Sequence, residues 1–107
     1  MAEILIGEGH NGGTITGRPG DILVIRLAEN PTTGFRWSAT QADPEMLRPQ
    51  SDDFEPAAGT GLGGGGLRTF RYLLTGGGDT ALALQLARPW EATAPRSEFR
   101  IRVSIGR

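Results

Sequence analysis

A two-residue rhythm of apolar and polar positions runs through the chain. In residues 21–28, DILVIRLA, it places Leu23, Ile25 and Leu27 on one face. In residues 67–74, LRTFRYLL, it aligns Phe70, Tyr72 and Leu74, and in residues 80–87, TALALQLA, it aligns Leu82, Leu84 and Leu86. Residues 98–105, EFRIRVSI, set Phe99, Ile101, Val103 and Ile105 against Arg100, Arg102 and Ser104. Successive side chains of a strand point to opposite faces, so each run predicts a strand with one face on a core and the other in water. Ala and Leu also favour helix, but the strict period in 80–87 decides for strand. Shorter strands are predicted at 3–6, 14–16, 35–39 and 46–48. The predicted core takes these inward residues, Leu74 apart, and adds Trp37.

Strong breakers separate the runs: Gly12-Gly13, Pro19-Gly20, Asn30-Pro31, Pro44, Pro49, the glycines from Gly59 to Gly66, Gly76 to Gly78, and Pro89. Seven or eight short strands divided by Gly/Pro loops read as an all-β antiparallel sandwich or small barrel. No composition shift divides residues 1–107, which read as one domain. Residues 51–66 form the longest stretch without a pattern, a loop expected to be functional or mobile.

Composition narrows the functions. The 107 residues hold no Cys and one His, so disulfide scaffolds, zinc fingers and thiol nucleophiles are excluded. Eleven basic residues, all Arg, face twelve acidic ones, a balance that favours neither nucleic acid nor an anionic membrane. No apolar run is long enough to span a bilayer. The first ten residues, MAEILIGEGH, show no signal-peptide pattern. The compartment therefore stays open: cytoplasmic, or periplasmic or secreted if a signal was removed.

Several motifs dissolve on inspection. Gly59-Thr60-Gly61-Leu62-Gly63-Gly64 spells G-x-G-x-x-G, but a dinucleotide site needs a strand before it and a helix after it. Here EPAA precedes and an alternating strand follows. His10 has no nucleophile context among the four serines. Asp52, Asp53 and Glu55 lack calcium-loop spacing and read as a solvated acidic loop. No catalytic residue, metal site or cofactor is expected, and the chain is expected not to be an enzyme.

Asn30-Pro31-Thr32-Thr33-Gly34-Phe35-Arg36-Trp37 carries more information. Asn and Pro set up a tight turn and Gly34 allows a left-handed residue. That leaves two threonines at the tip, with Phe35 and Trp37 anchoring the next strand on one face. Arg88-Pro89-Trp90-Glu91 follows strand 80–87 directly, where Pro89 ends the ladder and a rigid Pro–Trp pair makes good contact surface. Trp90 is expected to be exposed rather than to cap the core.

NPTTGF at 30–35, a glycine element ahead of Phe70 and RPW at 88–90, in that order, resemble the chagasin family of inhibitors of papain-like cysteine peptidases. The resemblance covers roughly residues 3–105. Gly63-Gly64-Gly65-Gly66 fits the glycine element best, while Gly61-Leu62-Gly63-Gly64 also satisfies it.

The resemblance implies an immunoglobulin-like β-sandwich whose loops at 30–34, 57–66 and 88–97 form a wedge that enters the peptidase's active-site cleft. It places Pro31, Thr32, Thr33 and Gly34 over the catalytic Cys–His pair. Leu62, Gly63, Gly64, Gly65 and Gly66 then pair along the non-primed side, and Arg88, Pro89 and Trp90 touch the primed side. The partner implied is a papain-like cysteine peptidase, bound reversibly and tightly by a chain that is a monomer when free. The competing reading is an immunoglobulin-like adhesion or ligand-binding module that keeps these loops as mere turns. Turns alone need neither Thr-Thr nor an exposed Trp90.

Overall fold

Each of the four alternating runs forms a strand. The computed structural model describes residues 2–57, 65–91 and 94–106. In chain order the strands are β1 (Glu3–Ile6), β2 (Thr14–Gly17), β3 (Ile22–Glu29), β4 (Arg36–Ala42), β5 (Leu47–Pro56), β6 (Gly66–Leu74), β7 (Gly78–Ala87) and β8 (Ser97–Ile105). They build two four-stranded sheets, ordered β1-β3-β6-β5 and β2-β8-β7-β4. The inward faces of the two sheets pack together as a sandwich.

Two outer pairings depart from the antiparallel expectation. β1 pairs with β3 in parallel, and β2 pairs with β8 in parallel. β2 lies in the opposite sheet, so the chain crosses the sandwich twice between β1 and β3 and returns in the same direction. All remaining pairings are antiparallel.

Of the stretch 51–66 expected to be an unpatterned loop, residues 51–56 belong to β5 and Gly66 opens β6, while 58–64 lie outside the described residues. β5 is an edge strand paired with β6 alone, and its side chains are mostly solvent-facing, so no apolar alternation marks it. Backbone pairing holds it instead. Pro49 sits beside a register shift on this edge strand, where a missing N–H is tolerated.

The core contains the predicted residues with one exception and some additions. Leu23, Ile25, Leu27, Leu82 and Val103 are fully buried, and Ile6, Ile15, Leu47 and Leu74 join them. Leu86 is only partly buried, lying where the sheets open toward the loops.

This topology sends three connections to one end. β6 runs against both β3 and β5, so Glu29 and Pro56, the last residues of those strands, both pair with Gly66. In the other sheet Arg36, the first residue of β4, pairs with Ala87, the last of β7. The β3–β4, β5–β6 and β7–β8 loops therefore emerge together.

Candidate functional site

The β3–β4 loop is a tight 3-10 turn, Pro31–Thr33, organised by its own polar groups. Asn30 precedes it in extended conformation and its Oδ1 accepts hydrogen bonds from Thr32 N (3.1 Å) and Thr32 Oγ1 (2.7 Å). Thr33 Oγ1 donates to Asn30 O at 2.7 Å and accepts from Phe35 N at 3.3 Å. Gly34 ends the turn at φ +81°, a left-handed conformation that glycine adopts without strain. Pro31 and Thr32 are exposed, whereas Thr33 is half-buried. The two threonines therefore differ: Thr32 is at the tip and Thr33 is the hub that closes the turn.

The β7–β8 loop leans on this turn. Arg88 Nε donates to Thr33 O at 2.9 Å, and its guanidinium lies 4.4 Å from the centre of the Phe35 ring. Arg96 stands over the same ring at 5.1 Å. Phe35 thus serves as a platform for two cations rather than as a strand anchor, because β4 begins one residue later. Arg88 also pairs with Glu91 at 3.0 Å. Beyond Pro89, Trp90 is 70% exposed, with the edge of its indole against Gly34.

The β5–β6 loop enters and leaves beside the first. Of the glycine element, Gly65 and Gly66 are described, while Leu62, Gly63 and Gly64 lie outside the described residues. A β-carbon on Gly66 would overlap Glu55 O and stand 2.8 Å from Pro56 Cα. The two strands approach that closely because this residue has no side chain. A β-carbon on Gly65 would stand 3.3 Å from Glu29 O, so this residue lies beside the base of the turn.

Beneath the loops lies a charged network that the sequence reading missed. Glu29 is 4% exposed. Its Oε1 accepts from Trp37 N at 2.7 Å, and its Oε2 takes Arg68 Nε at 2.9 Å and Nη2 at 2.8 Å. Arg68 Nη1 reaches Asp52 Oδ1 at 3.0 Å. Burial pulls the Arg68 pKa down, but hydrogen bonds and charge from Glu29 and Asp52 outweigh it and hold the guanidinium above its ordinary value. Burial, chiefly, and the Asp52 charge push the Tyr72 hydroxyl up. Asp52 belongs to a strand and an ion pair, which corrects its reading as part of a solvated loop. The signal was present: Glu29 continues the inward series Leu23, Ile25, Leu27, and Arg68 shares a face with Phe70 and Tyr72.

His10 closes a separate 3-10 turn, where its Nδ1 accepts from Gly7 N at 3.2 Å. Among the described residues no three His, Asp or Glu side chains gather to hold a metal.

Residues 17–105 match the family described as chagasin family peptidase inhibitor I42. The chain belongs to this family. A chagasin-family member is a peptidase inhibitor and not an enzyme, so inhibition displaces the reading as a bare adhesion module. Chagasin of Trypanosoma cruzi is 34% identical over 95 residues, covering 85% of this chain and 86% of its own. The cysteine protease inhibitor EhICP2 of Entamoeba histolytica superposes with a TM-score of 0.87 at 22% identity, over 98% of this chain and 96% of that one. PbICP-C, solved in complex with falcipain-2, gives a TM-score of 0.63 at 20% identity, over 99% of this chain and all of that one. These two share the chagasin-family sandwich.

Proposed function

We propose that this chain inhibits papain-like cysteine peptidases by lodging its three-loop end in the active-site cleft. The observation that carries the reading is Trp90, a large apolar side chain 70% exposed on a loop whose backbone is tied to the neighbouring turn through Arg88. An exposed, pre-positioned Trp is the usual anchor of a protein interface, since little ordering entropy remains to be lost on binding.

In this mechanism Pro31 and Thr32 enter first and stand over the catalytic thiolate and imidazole. Neither offers a nucleophile, and the Thr32 hydroxyl is already engaged by Asn30. The block is therefore steric and reversible. The glycine loop runs on the non-primed side, where a bare backbone can add to an enzyme edge by main-chain hydrogen bonds. Arg88, Pro89 and Trp90 cover the primed side. EhICP2 is a cysteine protease inhibitor and PbICP-C is bound to falcipain-2, which supports a thiol peptidase as target.

Titration of papain with the purified chain tests the proposal. Activity should fall stoichiometrically and return on dilution, with the inhibitor recovered uncleaved. Full papain activity in excess inhibitor would refute it.

A further inference from the structure

Glu29 and Arg68 bury opposite charges at one end of an otherwise apolar core. Two oxygens of one carboxylate serve two directions. Oε1 takes the backbone N–H of Trp37 (2.7 Å) across to the other sheet, and Oε2 takes Arg68 (2.9 and 2.8 Å). Glu29 closes the near stem of the β3–β4 loop and Trp37 its far stem, so the carboxylate clasps that loop at its base. Trp37 Nε1 adds a second stem bond, donating to Ala28 O at 2.8 Å.

Arg68 extends the clasp to the glycine loop. It lies two residues beyond Gly66 on β6 and reaches Asp52 on β5 at 3.0 Å, so it spans both stems of the β5–β6 loop. Its guanidinium also lies over the Phe54 ring, 5.6 Å from the centre. One network thus joins all four strands that carry the first two loops. The third loop hangs on the first through Arg88 and Thr33.

We infer that Glu29, held by Arg68, is a positioning residue for the inhibitory end: it locks the β3–β4 turn in its binding-competent shape and couples it to the glycine loop. This rests on the inhibitory reading above. A buried pair of this kind contributes little net stability compared with apolar groups of the same volume. Its value lies in geometry. A loosened turn populates the competent shape less, and the apparent affinity falls by that fraction.

The test is the double variant Glu29→Met with Arg68→Met, which removes both charges together and leaves neither unpaired. Thermal melting, amide hydrogen exchange at Thr33, Gly34 and Leu84, and the dissociation constant for papain are measured on the same sample. The Trp37 N–H loses its acceptor, so the melting temperature should fall by about 5–15 °C. Exchange at Thr33 and Gly34 should accelerate at least about tenfold more than at Leu84, and the dissociation constant should rise about tenfold. Unchanged exchange in the turn, or unchanged affinity, overturns the inference. If the double variant does not fold, Glu29→Gln decides on the same readouts. It keeps an acceptor for Trp37 but loses the charge, and rises of about threefold are expected. A parent chain that leaves papain active would refute the inhibitory reading, and turn exchange would then decide the clasp alone.

Discussion

The indole of Trp90 occupies the space where a β-carbon on residue 34 would stand. Its Cζ2 lies 2.9 Å from that position and its Cη2 closer still. Gly34 therefore meets two demands: a left-handed backbone at φ +81° and a bare surface for the ring to rest on. Replacing it by Ala should cost about 1–2 kcal/mol from the backbone conformation. It should also push the indole away, changing Trp90 fluorescence and weakening inhibition about tenfold or more. Fluorescence, melting and an inhibition constant on Gly34→Ala check this. Unaltered inhibition would show that the ring contact is irrelevant.

Trp90→Ala separates binding from folding. The side chain is largely in water, so its loss should change stability by about 0.5 kcal/mol or less. Affinity should fall by about 2 kcal/mol, near thirtyfold, mainly through faster dissociation. A large drop in melting temperature with intact affinity of the folded fraction would contradict the assignment.

The neighbouring threonines should answer differently to substitution. Thr32→Arg places a bulky cation at an exposed tip, and should leave the melt nearly unchanged while abolishing tight inhibition. Thr33→Val deletes the hydroxyl that bonds Asn30 O and Phe35 N. It should cost about 1–2 kcal/mol, because the Phe35 N–H loses its acceptor and Asn30 O keeps only the Thr33 N–H. Equal melts for the two variants would refute the division of roles.

Leu84, 1% exposed on β7, packs between the sheets. Leu84→Ala should lower stability by about 2–5 kcal/mol through lost burial and the cavity left behind. The inhibition constant of the folded fraction should stay as in the parent. Denaturant unfolding and an inhibition assay at low temperature check both halves.

Asp21 gives the fold one acid-sensitive contact. Its carboxylate accepts from Arg18 N at 3.0 Å and Ala2 N at 3.1 Å, and the Arg18 bond is the main reason its pKa is held below the ordinary value. A depressed carboxylate contributes stability that is present above its unfolded value, roughly pH 4. That contribution is lost as pH falls through the folded value. Asp21→Asn should therefore be less stable than the parent at neutral pH and converge with it in acid. Parallel melting-temperature curves from pH 7 down to about pH 2 would exclude the linkage.

The strands that face the core were legible because burial imposes a period on them. In β8, Phe99, Ile101, Val103 and Ile105 alternate with two arginines and a serine, and the structure buries all four. The β3–β4 turn was legible for a local reason: Asn30, Pro31 and Gly34 each carry a conformational preference that acts over three or four residues. The exposed position of Trp90 followed from Pro89 beside it, which stops the strand before the ring can turn inward.

Beyond its start, predicted as a strand at 46–48, β5 left no such trace. Its residues from Ser51 to Pro56 lie at an edge, held by main-chain bonds that every residue type can make. Strand parity turned Glu29 and Arg68 inward, but their partnership across 39 residues and the rest of Trp90 on Gly34 left no mark. The sequence alone thus determined which faces are apolar, where the chain turns and which family's loops it carries, because periodicity and turn chemistry are written in neighbouring residues. Tertiary structure decided that the two outer pairings are parallel, that an edge strand takes in residues 51–56 and that one buried carboxylate joins both sheets beneath the loops. Those outcomes depend on which distant backbones meet, and no local preference encodes that.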